Sequence, residues 1–310
     1  MKNVPCWALL ALLLLLVACS GGEEAGPAGA AAPGDAMPAR LVFSVVSEEN
    51  QSDRQARFEL FREYLEERLG VPVELHLATD YAGTIEAMKA SKVDLAFLGP
   101  AAYASAWEVT GGNVEPLLTY VDNEGGQGYH SVVAVAAGSP FTTLEDLRGK
   151  SMAFPDPNSA SGYLVPAYHF RRMGIDIAEY FSRTGFSGNH ENGILAVLSG
   201  DYDAATTFWN NEQMGNIQRM EEKGMIPAGS TRLVWKSPLI PNEAWTIRKD
   251  LPTVVRESVL EALAGMREQA PEAWERLTDG KVREYIPATH AMYEDTILMR
   301  QENLKERRGK

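Results

Sequence analysis

The sequence predicts an α/β protein of two lobes with a cleft between them, preceded by a segment outside the fold. Three observations carry this. From Leu41 onward, short β-branched and apolar runs alternate with helical periodicities. The alternation breaks at a turn-rich stretch, Asp122 to Gly128, and then resumes. The residues before Leu41 have a different composition from all that follows.

In the first run, Leu41 to Val46 reads as a strand. Asp53 to Leu69 is a helix, with Phe58, Phe61, Leu65 and Leu69 on one face. Val71 to Leu77 is a strand, Tyr81 to Ala90 a helix, Val93 to Leu98 a buried strand, Ala101 to Val109 a helix and Val114 to Val121 a strand. Such alternation indicates a mostly parallel sheet. In the second run, strands are expected at Ser131 to Ala136, Ser151 to Phe154, Phe181 to Gly185 and Tyr202 to Thr206. Helices are expected at Thr143 to Leu147, Gly162 to Met173, Asn192 to Ser199 and Met214 to Lys223. Leu233 to Trp235 and Ala244 to Ile247 read as return strands, Thr253 to Met266 as an amphipathic helix and Ala288 to Lys305 as a final helix. The expected division is 41–125 plus 240–310 for lobe I and 126–239 for lobe II. Two chain crossings, near Asn123 to Gly128 and near Ser237 to Asn242, then make a hinge.

The N-terminus reads as an address. Lys2 precedes the apolar run Trp7 to Val17, too short for a bilayer span of about 20 residues. Leu16-Val17-Ala18-Cys19 resembles the lipobox of bacterial lipoproteins, so residues 1–18 are expected to be a signal peptide and Cys19 the lipidated first residue of the mature chain. An ordinary signal peptide that contains a cysteine is the alternative. Residues 19–40, rich in Gly, Ala and Pro, form the expected flexible tether. The folded part thus works outside the cytoplasm, in the cell envelope on the periplasmic side, attached to a membrane.

Of the 310 residues, 45% are hydrophobic, enough for two cores, and Lys+Arg 29 against Asp+Glu 42 leaves a net charge of −13. This balance, with no basic cluster before Lys305 to Lys310, excludes nucleic acid as a partner. Cys6 and Cys19 are the two cysteines, so neither a disulfide framework nor a cysteine zinc site is available to the folded part. No metal pair of histidines, Walker loop, Gly-x-Gly-x-x-Gly or Gly-x-Ser-x-Gly motif occurs, and no cofactor is expected.

A small anion needs only local dipoles. Three strand-to-helix junctions carry small or hydroxylated residues: Thr79 to Thr84, Leu98 to Tyr103, and Asp156 to Gly162. Helix starts offer unpaired N–H groups and the positive dipole end to an oxyanion. The same residues are ordinary N-caps, so each junction alone also reads as plain capping. Pro166 either lies in the first turn of its helix or marks a kink.

The run Asp156-Pro157-Asn158-Ser159-Ala160-Ser161-Gly162-Tyr163-Leu164-Val165-Pro166 is the most specific feature. Taken with Asp80 to Gly83, Gly128-Tyr129, Gly188 to Glu191 and Trp235 to Pro241, it resembles the phosphonate/phosphite/phosphate-binding proteins of bacterial ABC importers. The resemblance implies a two-lobed periplasmic-binding-protein fold of type II, with two hinge crossings and a ligand cleft between the lobes. It implies that Tyr81 and Tyr129 contact the ligand. Ser159, Ser161 and the backbone at Ala160 would hold the phosphonyl oxygens, and His190 would donate to them. The family's middle hydroxyl is Ala160 here, and its amine-pairing acid is Glu243, one methylene longer. By itself His190 reads as a surface or capping histidine, and Trp209 as a core residue. Phe208 and Trp209 are expected to shrink the cavity in favour of a small anion.

The function implied is the substrate-binding component of an ABC importer, partnered by a permease and its ATPase and anchored through Cys19 as a monomer. Presentation of the anion to a sensor or other membrane partner is the alternative. An enzyme is the least favoured reading: His190 and Glu191 could in principle do acid–base work, but as neighbours at a helix start they point in different directions.

Overall fold

A computed structural model of the chain describes residues 36–309. The expected signal peptide, Cys19 and the tether up to residue 35 lie outside the described residues. Met37, near the end of that tether, already packs against the first apolar core.

The first run comprises β1 (Leu41–Val45), α1 (Gln51–Leu69), β2 (Val73–His76), α2 (Tyr81–Lys89), β3 (Leu95–Leu98), α3 (Pro100–Val109) and β4 (Val114–Asp122). The second begins with β5 (Gly128–Ala136), β6 (Ser151–Phe154), α4 (Val165–Arg172), α5 (Ile177–Tyr180) and β7 (Arg183–Phe186). It continues through α6 (His190–Leu198), β8 (Ala204–Trp209), α7 (Asn216–Glu222), β9 (Thr231–Lys236) and β10 (Ile240–Pro241). The chain then returns through β11 (Ala244–Arg248), α8 (Thr253–Gln269), α9 (Pro271–Thr278), β12 (Val282–Pro287) and α10 (Glu294–Gly309).

These strands form two sheets, each the centre of a lobe. The first has the order β12-β4-β11-β3-β1-β2; the second has β10-β5-β8-β6-β7, with β9 also on β5. The expectation of mostly parallel sheets is corrected to mixed ones. Only the βαβ units β2-β1-β3 and β7-β6-β8 are parallel. Strands next to a crossing enter from the opposite direction, so β11 runs antiparallel to both β3 and β4.

Local chemistry accounts for the parallel units. All of β1 is buried, its Leu41, Phe43 and Val45 facing one core and Val42 the other, as a strand covered on both faces requires. Asn50 caps α1 by accepting from Asp53 N, and Gly70 ends it at φ 66, where a side chain would be strained. Phe61 stacks on Trp245 of β11 at 4.7 Å and meets Phe43 edge-on at 5.1 Å, which ties α1 to the centre of the sheet. The unexpected β12 alternates poorly, carries charges and ends in Pro287, as an edge strand does. The expected helix from Ala288 starts instead at Glu294, after a 3-10 turn.

The crossings lie side by side. Ile240 and Pro241 pair with Tyr129 and Gly128, and a Cβ on Gly128 would meet the Ile240 carbonyl at 2.5 Å, so only glycine allows this approach. Asn242 and Glu243 form the return crossing, held where Asn242 Nδ2 donates to the Tyr120 carbonyl and Tyr293 Oη to that of Asn242. A third connection is the C-terminal helix: Arg300 bonds Glu108 of α3 in one lobe and Asn158 of the other.

Candidate functional site

The Asp156 to Gly162 loop follows β6. Ser159 Oγ accepts from Gly162 N at 3.0 Å, and the turn it caps, Ala160–Leu164, is π-helical before α4 begins. A regular helix from Gly162 was expected; Pro166 lies in the first turn of α4 instead, with the wider turn ahead of it. Among the described residues, the N–H groups of Ala160 and Ser161 have no partner. Ser131 and Thr206, on neighbouring strands, donate to the carbonyls of Ser161 and Gly162 and fix the loop on the sheet. The result is a rigid pair of backbone donors beside two hydroxyls, which suits an oxyanion.

His190 is neither at the surface nor acting as a cap, because Asn189 caps α6. It is 1% exposed, with Nε2 3.1 Å from Ser159 Oγ and Nδ1 3.1 Å from Thr207 Oγ1. Burial, aided by Arg219, pushes the imidazole down to about 3. It is therefore neutral at physiological pH, with one donor and one acceptor nitrogen.

Tyr81 and Tyr129 are both buried and bring their phenols to the same place. Tyr81 is the first residue of α2, its hydroxyl near Ser159 across the cleft, while that of Tyr129 lies near Ser161. Burial first, then Glu48 for Tyr81 and Glu243 for Tyr129, holds both phenols well above their usual range, so both remain donors. Arg54, 3% exposed, donates to the Ala78 carbonyl beneath the start of α2. Tyr81, Tyr129, Ser159, Ser161 and His190 thus converge, with Ala160 contributing backbone, and all their side-chain donors are neutral.

Beside them a cavity of about 90 Å³ lies between the lobes. Its walls include Phe97, Trp245, Phe208, Tyr120 and the carboxylates of Glu48 and Glu243. Tyr120 Oη donates to Glu243 at 2.8 Å, and burial pushes the Glu243 carboxyl up. Burial and then Glu243 push Glu48 up to about 7. Phe208 does narrow the space, standing 5.1 Å from the His190 ring. Trp209 neither walls the cavity nor enters the core. As the next residue on the strand it faces the other way, half-buried, with Lys236 Nζ 4.1 Å from its ring centroid.

The loop after β1 docks on the second lobe. Glu48 O accepts from His190 N, and Glu191 Oε2 accepts from Asn50 N. Lys223 Nζ lies 2.9 Å from Glu49 and 2.8 Å from Asp53. Glu49, Asp53 and Glu191 bring oxygens within 4.8 Å of one another, and the lysine ammonium sits among them. Glu191 thus binds the docking loop while His190 faces the cleft.

Sequence reasoning missed Glu48, Tyr120, Arg54 and the Arg219 that runs over Phe208. Glu48 was findable. It follows β1 at the carboxyl end of a parallel strand, where open α/β sheets place their ligands.

Residues 43–293 match the family described as the periplasmic substrate-binding protein of phosphonate ABC transporters. The chain is 33% identical over 304 residues to the phosphate-import protein PhnD of Mycolicibacterium smegmatis, covering 93% of this chain and 92% of the relative. It is 34% identical over 224 residues to the phosphonates-binding periplasmic protein of Escherichia coli, covering 71% of this chain and 64% of that one. A binding protein component of an ABC phosphonate transporter from Pseudomonas aeruginosa superposes with a TM-score of 0.76 at 27% identity, covering 84% and 85% of the two chains. PhnD1 from Prochlorococcus marinus, solved with methylphosphonate, gives 0.76 at 21% identity over 87% of this chain and all of its own.

Proposed function

The chain belongs to the periplasmic phosphonate-binding proteins of ABC transporters, and on that premise we propose that it closes its lobes on a phosphorus oxyanion held by Ser159, Ser161, Tyr81, Tyr129, His190 and the backbone at Ala160. As a member of that family it is a transport component working with a permease and an ATPase, and not an enzyme. The observation that carries the ligand assignment is the meeting of neutral donors at one point. Hydroxyls, an uncharged imidazole and two unpartnered N–H groups recognise an oxyanion by geometry without a salt bridge. Glu243 borders the adjacent cavity, where the substituent on phosphorus would lie.

The relatives support the class without narrowing it, since one is named for phosphate, one for phosphonates and a third, from Prochlorococcus marinus, for phosphite. Isothermal titration with phosphite, methylphosphonate, 2-aminoethylphosphonate, phosphate and sulfate tests the reading. Micromolar or tighter binding of at least one phosphorus anion is expected, and binding of none overturns it.

The division into 41–125 plus 240–310 and 126–239 is supported by strand membership of the two sheets, with β10 carrying the second sheet two residues past that boundary. Anchoring through Cys19 is supported by the lipobox. Among the described residues, no helix is long and apolar enough to cross a membrane. Fatty-acid labelling that disappears in Cys19→Ser is the expected result. Sedimentation as a monomer is expected too.

A further inference from the structure

We propose that Glu48 sets the specificity of the site: its carboxylate takes a hydrogen bond from the bound ligand, so a phosphorus oxyanion carrying a proton is accepted and a tetrahedral anion without one, such as sulfate, is refused. This rests on the phosphorus-anion reading above and adds to it a residue that the sequence motifs do not contain.

Glu48 differs from every other carboxylate around the cleft. Glu49 and Glu191 are tied into the Lys223 network, Asp156 accepts from Asn158 N, and Glu243 accepts from Tyr120 Oη. The Glu48 side chain has no hydrogen bond and no ion pair among the described residues, yet it lines the cavity together with Glu243. Its backbone is fixed by the bond from His190 N to Glu48 O, which holds the residue where the two lobes meet.

Among the described residues, none of the groups facing Glu48 donates a hydrogen bond to its carboxylate. Glu243 and Glu49 repel it, and the Tyr120 hydroxyl is given to Glu243. Tyr81 and Tyr129, close enough to feel its charge, have hydroxyls that lie toward Ser159 and Ser161. Arg54, Arg57 and Arg219 supply positive charge nearby but none bonds Glu48: Arg57 is spent on Glu49, Asp279 and the Leu277 carbonyl, Arg219 pairs with Glu49 and Asn216, Arg54 donates to the Ala78 carbonyl, and Arg54 Nε and Nη1 and Arg219 Nε are buried without a partner. A fully deprotonated anion entering this cavity meets the two carboxylates of Glu48 and Glu243. A ligand bringing an O–H replaces that repulsion with a short charge-assisted hydrogen bond.

The test is isothermal titration of the wild type, Glu48→Gln and Glu48→Ala with methylphosphonate and sulfate across pH. For the wild type, methylphosphonate affinity is expected to fall about tenfold per pH unit between about pH 7 and about pH 9, with sulfate at least about a hundredfold weaker throughout. In Glu48→Gln the pH slope should flatten and sulfate should gain at least about tenfold, because the amide donates to a bare oxygen. Glu48→Ala serves the same comparison if the amide disturbs the loop, and should also flatten the slope. If the wild type binds methylphosphonate but both variants keep its slope and its refusal of sulfate, the Glu48 assignment fails and the functional reading stands. If the wild type binds sulfate as tightly as methylphosphonate, the assignment likewise fails. If neither methylphosphonate nor any other phosphorus anion binds, the functional reading itself fails.

Discussion

His190 Nε2 stands 3.1 Å from Ser159 Oγ, joining the start of α6 to the loop after β6 across 31 residues of sequence. The other ring nitrogen is equally close to a hydroxyl, that of Thr207. An imidazole between two neutral hydroxyls, with Arg219 near enough to oppose its charge, has no place for a second proton.

That arrangement makes the fold sensitive to mild acid. The imidazole goes from an ordinary 6.5 down to about 3 on folding, so its contribution is complete above about pH 6.5 and is lost as pH falls toward 3, when the unfolded chain takes up a proton that the native state refuses. Between about pH 6.5 and about pH 5 the loss is about 1–2 kcal/mol. Urea unfolding of the ligand-free protein should show it, and His190→Asn should flatten that limb. An unchanged slope in the variant contradicts the assignment.

Ser159→Ala/Ser161→Ala should weaken phosphorus-anion binding by about a hundredfold or more, since each hydroxyl donated to a charged oxygen is worth about 1.5–3 kcal/mol. The lost cap at Ser159 costs about 1 kcal/mol of stability, small enough for the variant to fold. Equal affinities in calorimetry would falsify the proposed site.

Glu49 is 3% exposed and holds Arg57, Arg219 and Lys223 together. Burial pushes its carboxyl up, but the three cations outweigh that and bring it down to about 2. The contribution is therefore present above the ordinary value of 4.5 and is lost as pH falls through 2. Glu49→Gln should cost about 3 kcal/mol in chemical denaturation at neutral pH, because buried cations lose their partner. A cost below about 1 kcal/mol means that the network is not stabilising.

Phe208→Ala should widen the cavity on the side of His190. Phenylphosphonate should gain about tenfold in affinity relative to methylphosphonate, a shift of about 1.4 kcal/mol. Competition calorimetry measures the ratio directly, and no change in it places the substituent elsewhere.

The sequence revealed the parallel units and the anion loop because both depend on neighbours along the chain. Phe58, Phe61, Leu65 and Leu69 repeat at helical spacing, and Ser159 to Gly162 sit in one turn. Contacts made after long excursions were hidden. Glu48 acquires its meaning only beside Glu243, and His190 is buried only because Phe208 and Ser159 close over it. The edge strand β12 was missed because its outward positions carry Arg283 and Glu284, which spoil the alternation that marked the inner strands.

The position of β11 between β3 and β4 imposes an order on folding. Residues 244–248 fill the centre of a sheet whose other central strands were synthesised more than a hundred residues earlier, with the whole second sheet made in between. Until that late strand arrives, β3 and β4 each present an open edge, and Phe61 has no indole to stack on. The half that emerges first is thus the half that finishes last, and the uninterrupted second half is free to fold while it waits.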